Sequence, residues 1–420
     1  MSKVHFDFLI VGAGIIGSAI SYILSETLKR SNQKSNIGVI DLDLEGEYSS
    51  TLKNAGGVRS TWRNRANVEL CKYSIDFFEK ISDKIDFKQK GYFWLHDENS
   101  WEEINHNLNL YNEIGLNVEL VSKNNIKNYL PFIENYEDIK GMSISRKAGL
   151  IDHYSLRQFF RTGSKNNGVD FIDNQYVFNI TTENNSGISL TTSDISGLVR
   201  SRGIDVVRKY LKGEIPQSPT ESINYSFDLL INSTGAWSSK LSKLYGYKED
   251  EIKPRRRQIE LFNCPGIDIS EMGMIIDTTD IYFHQEGDNI LAGYSNMDEP
   301  YGVNFKFDFF SYSEESPFTK YIWKPLVKRS SLFEKIKFIR GWSGIYGETH
   351  DRSGFIGKVP GFDNIFECVG HTGRGIMISY GAAQALVDIM LEGKLRDGLT
   401  SASDFHRSRP NGDLFEELHL

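Results

Sequence analysis

Gly12, Gly14 and Gly17 stand in G-x-G-x-x-G spacing within FDFLIVGAGIIGSAISYIL, Phe6 to Leu24. Glycines at these intervals serve a tight turn, close approach of backbone to a pyrophosphate, and close helix–sheet packing. The helix that follows would offer free N–H groups and the positive end of its dipole to phosphate. Asp41 ends the next apolar run, where a carboxylate can accept hydrogen bonds from ribose hydroxyls. It follows Gly12 by 29 residues, more than the usual interval, and a longer helix with the loop SNQKSN absorbs the difference. The chemistry is dinucleotide binding, and these residues serve NAD and FAD equally.

A second loop of small residues separates the two cofactors. SSTLKNAGGVRSTWR, Ser49 to Arg63, is dense in hydroxyl residues and glycine, with two arginines close behind. An NAD site has no need of such a loop, whereas an FAD pyrophosphate and ribityl chain lying across a domain does. Thr234, Gly235 and Ala236 follow a buried strand in FDLLINSTGAWSSKL, another close backbone approach. GHTGRGIMISYG, Gly370 to Gly381, is a second glycine turn into a helix. Its N-terminus could face the flavin N1–C2=O edge, which becomes negative on reduction.

Oxidation by a bound flavin needs orientation rather than a protease-like acid–base constellation. Arg59, just past the small-residue loop, is a candidate for flavin or carboxylate contact, with a solvated surface role the plain alternative. Arg257, in the strand RRRQIELF, points inward if Gln258 points outward, and Arg255 shares its face. Tyr282 and His284 on DIYFHQ are further candidates. His153 and His350 show no metal-ligand spacing, so no metal is expected.

These residues must be positioned by elements of two kinds. HFDFLIVGAG and NIGVIDLD are short, wholly apolar strands of the sort buried on both faces of a parallel sheet, and with GSAISYILSETLKRS between them they form a βαβ unit. YSIDFFEKISDKI is amphipathic, KGYFWLHD and GLNVELVS read as a strand pair, and KPRRRQIELF through DIYFHQEGDNILAGYS alternates as an antiparallel sheet would. NIFECVGHTGRGIMISYGAAQALVDIMLEG returns to strand then helix. Ser186 to Tyr210 shows no clear period and reads as an insertion, and Leu211 to Ser226 as an exposed excursion. Two interleaved domains are expected: an FAD-binding domain from 1–85, 148–250 and 335–420, and a substrate domain from 86–147 and 251–334.

The 420 residues are 39% hydrophobic and 12% aromatic, ample for a core, and the net charge of −8 argues against a nucleic-acid partner. Three isolated cysteines suit a reduced, cytoplasmic protein without a disulfide framework. No stretch approaches the ~20 apolar residues of a transmembrane helix, although a peripheral membrane contact stays open.

In the order VGAGIIGSA, VIDLD, SSTLKNAGGVR, AGLIDHYSL, LINSTGAWS, PRRRQIELF, GWSGIYGETHDRSGFIG and GHTGRGIM, the chain resembles the D-amino-acid oxidase and sarcosine oxidase superfamily of FAD-dependent oxidoreductases. The resemblance covers nearly the whole chain. PRRRQ, the Trp-Ser-Gly-Ile-Tyr run and GHTGRGIM are most like archaeal dye-linked L-proline dehydrogenase subunits. They also resemble a mitochondrial FAD-oxidoreductase-domain protein linked to respiratory complex assembly.

The resemblance implies a mixed α/β fold: a Rossmann-like FAD-binding domain interleaved with a substrate domain built on a large antiparallel sheet, with the flavin between them. It carries cofactor contact onto Gly12, Gly14, Ile16, Gly17, Asp41, Ser50, Thr51, Asn54, Gly56 and Gly57. It also does so onto Val177 at the adenine, and onto Thr234, Gly235, Trp237, Gly344, Gly373, Arg374, Gly375, Ile376 and Met377. Tyr346 matches a family position over the flavin.

Relatives that attach FAD covalently use a histidine or cysteine where this chain has Asn54 and Gly344, so FAD should be noncovalent. Met377 replaces a lysine that binds substrate carboxylate in some relatives. Leu291 stands where sarcosine-oxidase-like relatives carry an oxygen-activating lysine, which favours a dye, quinone or protein acceptor. The implied activity is oxidation of a secondary amine or amino acid by hydride transfer to flavin. A noncatalytic assembly or electron-transfer subunit, and a 2-hydroxy-acid dehydrogenase, are the alternatives.

Overall fold

The computed structural model describes residues 4–181, 188–214, 222–249, 251–308, 311, 313–410 and 414–416. The run VHFDFLIV becomes the strand Val4–Val11, at the centre of an eight-stranded sheet. It lies parallel to Ile37–Ile40 on one side and to Ser222–Asn232 on the other. Asp170–Ile172 continues the sheet beyond Ile37–Ile40, and Ile365–Val369 and Phe355–Lys358 continue it beyond Ser222–Asn232.

From Phe8 to Val11 the strand is apolar because both of its faces are covered there. Phe8 and Ile10 pack against the helices Ile15–Arg30, Arg65–Lys80, His153–Asn166 and Gly375–Glu392. Leu9 and Val11 pack with Ile180, Leu190 and Tyr225 of an antiparallel layer. That layer joins Gln175–Thr181, Ser189–Asp194 and the first residues of Ser222–Asn232. The expected βαβ unit and the strand-to-helix return at the C-terminal end are both present.

A second eight-stranded sheet runs in the order Lys337–Glu348, Lys253–Asn263, Asn289–Tyr294, Ile281–Glu286, Met274–Ile276, Tyr92–His96, Gly141–Ser145, Val118–Ser122. All its pairings are antiparallel except Met274–Ile276 with Tyr92–His96. One face carries Phe93, Ile144, Phe283 and Ala292 into a core closed by Phe318, Leu326 and Phe333. Alternation sends Tyr92, Ile259, Tyr282 and Leu291 to the other face, where they meet the Ala55 loop.

Three readings of the sequence are corrected. The runs KGYFWLHD and GLNVELVS are not paired with each other, because Gly141–Ser145 lies between them and bonds to both. The segment read as an unpatterned insertion is ordered as the strand Ser189–Asp194 and the helices Ser196–Arg202 and Asp205–Lys212. Each piece is too short to register as a period in a window of 11 or more residues. The excursion expected over Leu211–Ser226 is bounded by the end of that helix and by a strand beginning at Ser222; its residues 215–221 lie outside those described.

Strands of the first sheet all come from 1–85, 148–250 and 335–420, while Lys337–Glu348, within the last of these, belongs to the second sheet. Among the described residues no helix is long and apolar enough to cross a membrane. Cys71, Cys264 and Cys368 are free and buried.

Candidate functional site

The glycine turn joins the end of Val4–Val11 to the helix Ile15–Arg30. Gly12 has φ +102°, and a Cβ there would lie 2.6 Å from the Ser233 carbonyl oxygen. A Cβ on Gly17 would lie 1.8 Å from the Gly12 carbonyl oxygen, so these two positions admit only glycine. Gly14 differs, since its nearest neighbour would be Thr51 Oγ1 at 3.4 Å. The space over Gly14 is therefore open, and it opens at the N-terminus of the helix.

Thr51 accepts from the Ile15 N–H at 3.0 Å, and Asp41 accepts from the N–H groups of Ala13 and Asp43. Arg161 braces the same turn by donating to the carbonyls of Ala13 and Leu44. Burial raises the Asp41 carboxyl above its ordinary value, while the two backbone N–H groups and Arg161 oppose that shift. A ligand hydroxyl donating to Asp41 would add to the opposing side.

One long cavity runs from this turn across the first sheet. Gly12, Gly14, Ile16 and Asp41 line it, with Ser50, Thr51 and Asn54 from the small-residue loop. Val177, Thr234, Gly235 and Trp237 line it from the far side, and Gly373, Gly375 and Ile376 from the second glycine turn. The small-residue loop is stitched to the second sheet: Ser50 Oγ donates to the Ile345 carbonyl, and Trp342 Nε1 donates to that of Lys53 at 3.2 Å.

A smaller chamber opens from the cavity, sharing Ser50, Asn54, Ile345, Tyr346, Thr372 and Gly373 with it. Its walls carry four aromatic side chains, Trp62, Tyr92, Tyr282 and Tyr346, together with Gly57, Gly344 and Met377. Three of the tyrosines lie against glycines. A Cβ on Gly57 would lie 2.1 Å from the Tyr92 hydroxyl, one on Gly293 2.2 Å from that of Tyr282, and one on Gly373 2.6 Å from the Tyr346 ring. Burial raises the pKa of all three phenols, so each stays neutral and can donate a hydrogen bond.

The charges at the chamber are cationic. Lys53, Arg257 and Arg374 line it, and no carboxylate or imidazole is found among its described lining residues. Arg257 Nη2 donates to Glu348 at 2.8 Å, Arg255 Nε lies 3.3 Å from the same carboxylate, and all three side chains are buried. Lys53 pairs with Glu47 at 3.2 Å. Arg374 is 1% exposed and its Nη1 has no hydrogen-bond partner among the described residues.

Four expected site residues line neither space. Gly17 and Gly56 shape the turns behind the cavity, Gly56 donating its N–H to Asn54 Oδ1 at 2.7 Å. Arg59 is not at the surface: it is 1% exposed, with its guanidinium 3.6 Å from the Trp62 ring centre and 4.7 Å from that of Trp94. Burial pulls its pKa down to about 10, which leaves it charged at neutral pH, and it backs the chamber through Trp62. His284 lies on the sheet with its ring nitrogens on the carbonyls of Gln285 and Ala55, at 2.8 and 3.0 Å. It holds the Ala55 loop.

Arg157 is a cavity residue that the sequence reading missed. Arg157, 1% exposed, lines the cavity beside Gly46, and its Nε is unpartnered among the described residues. Arg157 and Arg161 sit one turn apart on the buried side of their helix, a pattern visible in HYSLRQFFR. Cys368 and His371 face the cavity as a 3.3 Å pair. Burial pushes the thiol pKa up and that of the imidazole down to about 3, so the pair is neutral and unreactive.

A glycine turn at a helix N-terminus, an acidic residue on the next strand and a cavity crossing to a second sheet define a dinucleotide-dependent enzyme of the two-sheet kind. The family model described as FAD dependent oxidoreductase matches residues 7–389, and the chain belongs to that family. FAD-dependent oxidoreductase domain-containing protein 1 of Xenopus laevis is 26% identical over 441 residues, covering 98% of this chain and 84% of that protein. The structure of L-proline dehydrogenase from P. horikoshii superposes with a TM-score of 0.78 at 19% identity, covering 96% of this chain and 97% of that one. Glycine oxidase from Geobacillus kaustophilus gives 0.74 at 18% identity, with 97% and 100% covered. At such identities the two solved structures speak for the fold.

The cofactor is FAD, and the residues present fit it. Open space over Gly14 at a helix N-terminus suits a pyrophosphate, Asp41 a ribose, and the cavity's continuation to Tyr346 the flavin end.

Proposed function

We propose that the chain oxidises the C–N bond of a small secondary amine or amino acid, holds FAD noncovalently, and passes its electrons to an acceptor other than oxygen. The observation that carries the reading is the chamber: three neutral phenols and an indole facing three cations, without a base, at the flavin end of the cavity. Bound FAD supplies the two-electron acceptor for a C–H bond beside nitrogen. The chain's own residues supply the rest.

Trp62, Tyr92, Tyr282 and Tyr346 exclude water and leave an apolar, aromatic seat for the carbon skeleton. Arg374, which lines the chamber and whose Nη1 is unpartnered among the described residues, takes the substrate carboxylate in place of the lysine that Met377 replaces. Arg59 acts behind Trp62 as a positioning residue, and Arg257 holds its place beside Tyr346, 5.3 Å from the ring centre. The substrates in the names of those two solved structures, L-proline and glycine, belong to this class.

Among the described residues no carboxylate or imidazole lines the chamber to remove a proton from an ammonium ion, and the surrounding cations favour the neutral amine. The kcat/KM value is therefore expected to rise with pH up to the substrate amine's own pKa. Substrates of different amine pKa should shift the profile accordingly. A limb fixed near one pH for every substrate would instead reveal a protein base.

Leu291 is 4% exposed and packs with Ile259 and Leu261 against the Ala55 loop, so the sheet presents an apolar residue at the flavin end. Turnover should be fast with an artificial dye and slow with oxygen alone. Equal rates with air-saturated buffer would make the protein an oxidase. Noncovalent attachment follows from Asn54 and Gly344, and the free buried thiols support a cytoplasmic setting.

A further inference from the structure

Resting on the assignment of the long cavity to FAD, we propose that the helix Asp205–Lys212 walls the adenosine subsite of that cavity and latches it shut. The helix Asp205–Lys212 spaces Val206, Val207, Tyr210 and Leu211 on one side and its charged residues on the other. Val207, Tyr210 and Leu211 line the cavity at the end marked by Asp41, beside Tyr176 and Val177. The Tyr176 and Tyr210 ring centres are 4.7 Å apart. Aromatic and aliphatic walls of this kind suit a purine ring, whose faces are apolar and whose stacking on aromatic side chains is favourable.

The helix is fastened to both banks of the cavity by few bonds. On one bank the Tyr48 hydroxyl donates to Asp205 Oδ1 at 3.1 Å. On the other, Trp237 Nε1 donates to the Leu211 carbonyl at 3.0 Å and Lys240 Nζ to that of Tyr210 at 3.4 Å. Eight residues are too few for a helix to persist without its contacts. Lifting the helix as a unit breaks these bonds and uncovers Val206, Val207 and Tyr210, a local opening that costs less than global unfolding. The adenosine end enters or leaves only when this helix lifts.

The test is the rate of FAD loss from the holoprotein, followed by the rise in flavin fluorescence after dilution, for wild type and for Tyr48→Phe, Asp205→Ala and Trp237→Phe. Each variant removes one fastening, worth about 1 kcal/mol, and should release FAD about five- to tenfold faster. Asp205 is exposed, so its variant tests the latch without disturbing the core. Tyr210→Ala should weaken FAD binding about tenfold or more while leaving FMN binding as it was, since FMN lacks the adenosine. Unchanged release in Asp205→Ala and Tyr48→Phe, or equal loss of FAD and FMN affinity in Tyr210→Ala, would overturn the latch. Wild-type protein that takes up no FAD would instead overturn the cofactor assignment beneath it.

Discussion

Gly14→Val is expected to give a folded protein that purifies without flavin. Gly14 has φ −65°, an ordinary value for any residue, and a Cβ there meets nothing nearer than Thr51 Oγ1 at 3.4 Å. The valine side chain is thus accommodated by the protein but fills the space over the helix N-terminus that the pyrophosphate needs. The apoprotein should lose about 1 kcal/mol or less, the scale of a changed helix cap. FAD affinity should fall by at least about a thousandfold, roughly 4 kcal/mol.

Gly17→Ala should behave differently. Its Cβ would lie 1.8 Å from the Gly12 carbonyl oxygen and 2.6 Å from Ser233 Oγ, so the helix must move from the sheet and stability falls along with binding. Flavin absorbance per polypeptide and thermal unfolding of the two apoproteins separate these outcomes. A Gly14→Val protein that remains yellow would place the phosphates elsewhere.

The other large effect is one of stability. Glu348→Gln removes the one carboxylate that, among the described residues, pairs with two buried guanidiniums, since Arg255 and Arg257 are 7% and 5% exposed and both lie on it. Breaking a buried ion pair from one side leaves an uncompensated charge and costs about 3–5 kcal/mol. The amide is nearly isosteric, so no cavity contributes. Replacing all three residues together, Glu348→Leu with Arg255→Met and Arg257→Met, should recover most of that loss, because no unpaired charge then remains. Denaturant unfolding of the two variants checks the pair. A loss below about 1 kcal/mol for Glu348→Gln would mean that water reaches the triad.

The glycine turn was legible because its requirements are local. Gly12, Gly14, Gly17 and the strand before them are consecutive in the chain, and each spacing maps directly onto a turn and a helix start. The small-residue loop and the second glycine turn were legible for the same reason. The chamber was not. Tyr92, Tyr282 and Tyr346 come from three separated strands, and their meeting depends on sheet order and register, which no local pattern carries.

Arg59 illustrates the same limit. Its position after the loop suggested a direct contact, but Trp62 and Trp94 enclose it, and Trp94 arrives from a strand more than thirty residues away. His284 shares the sheet face of Tyr282 that meets the Ala55 loop. What the sequence did not reveal is the pair of carbonyls that occupy its ring nitrogens. The Asp205–Lys212 helix has a clean apolar side, yet it is two turns long, shorter than the window in which a helical period stands out.

The most direct test of the account is anaerobic mixing of the purified holoprotein with proline, N-methyl amino acids, D-amino acids, simple secondary amines and 2-hydroxy acids, followed through the flavin absorbance near 450 nm. Oxidation of a C–N bond in the aromatic chamber predicts bleaching by at least one amine and by none of the hydroxy acids, with two electrons taken up per flavin and an imine or its hydrolysis product formed in equal amount. Bleaching by a 2-hydroxy acid with none by any amine, or a flavin that dithionite reduces and no substrate does, would contradict it.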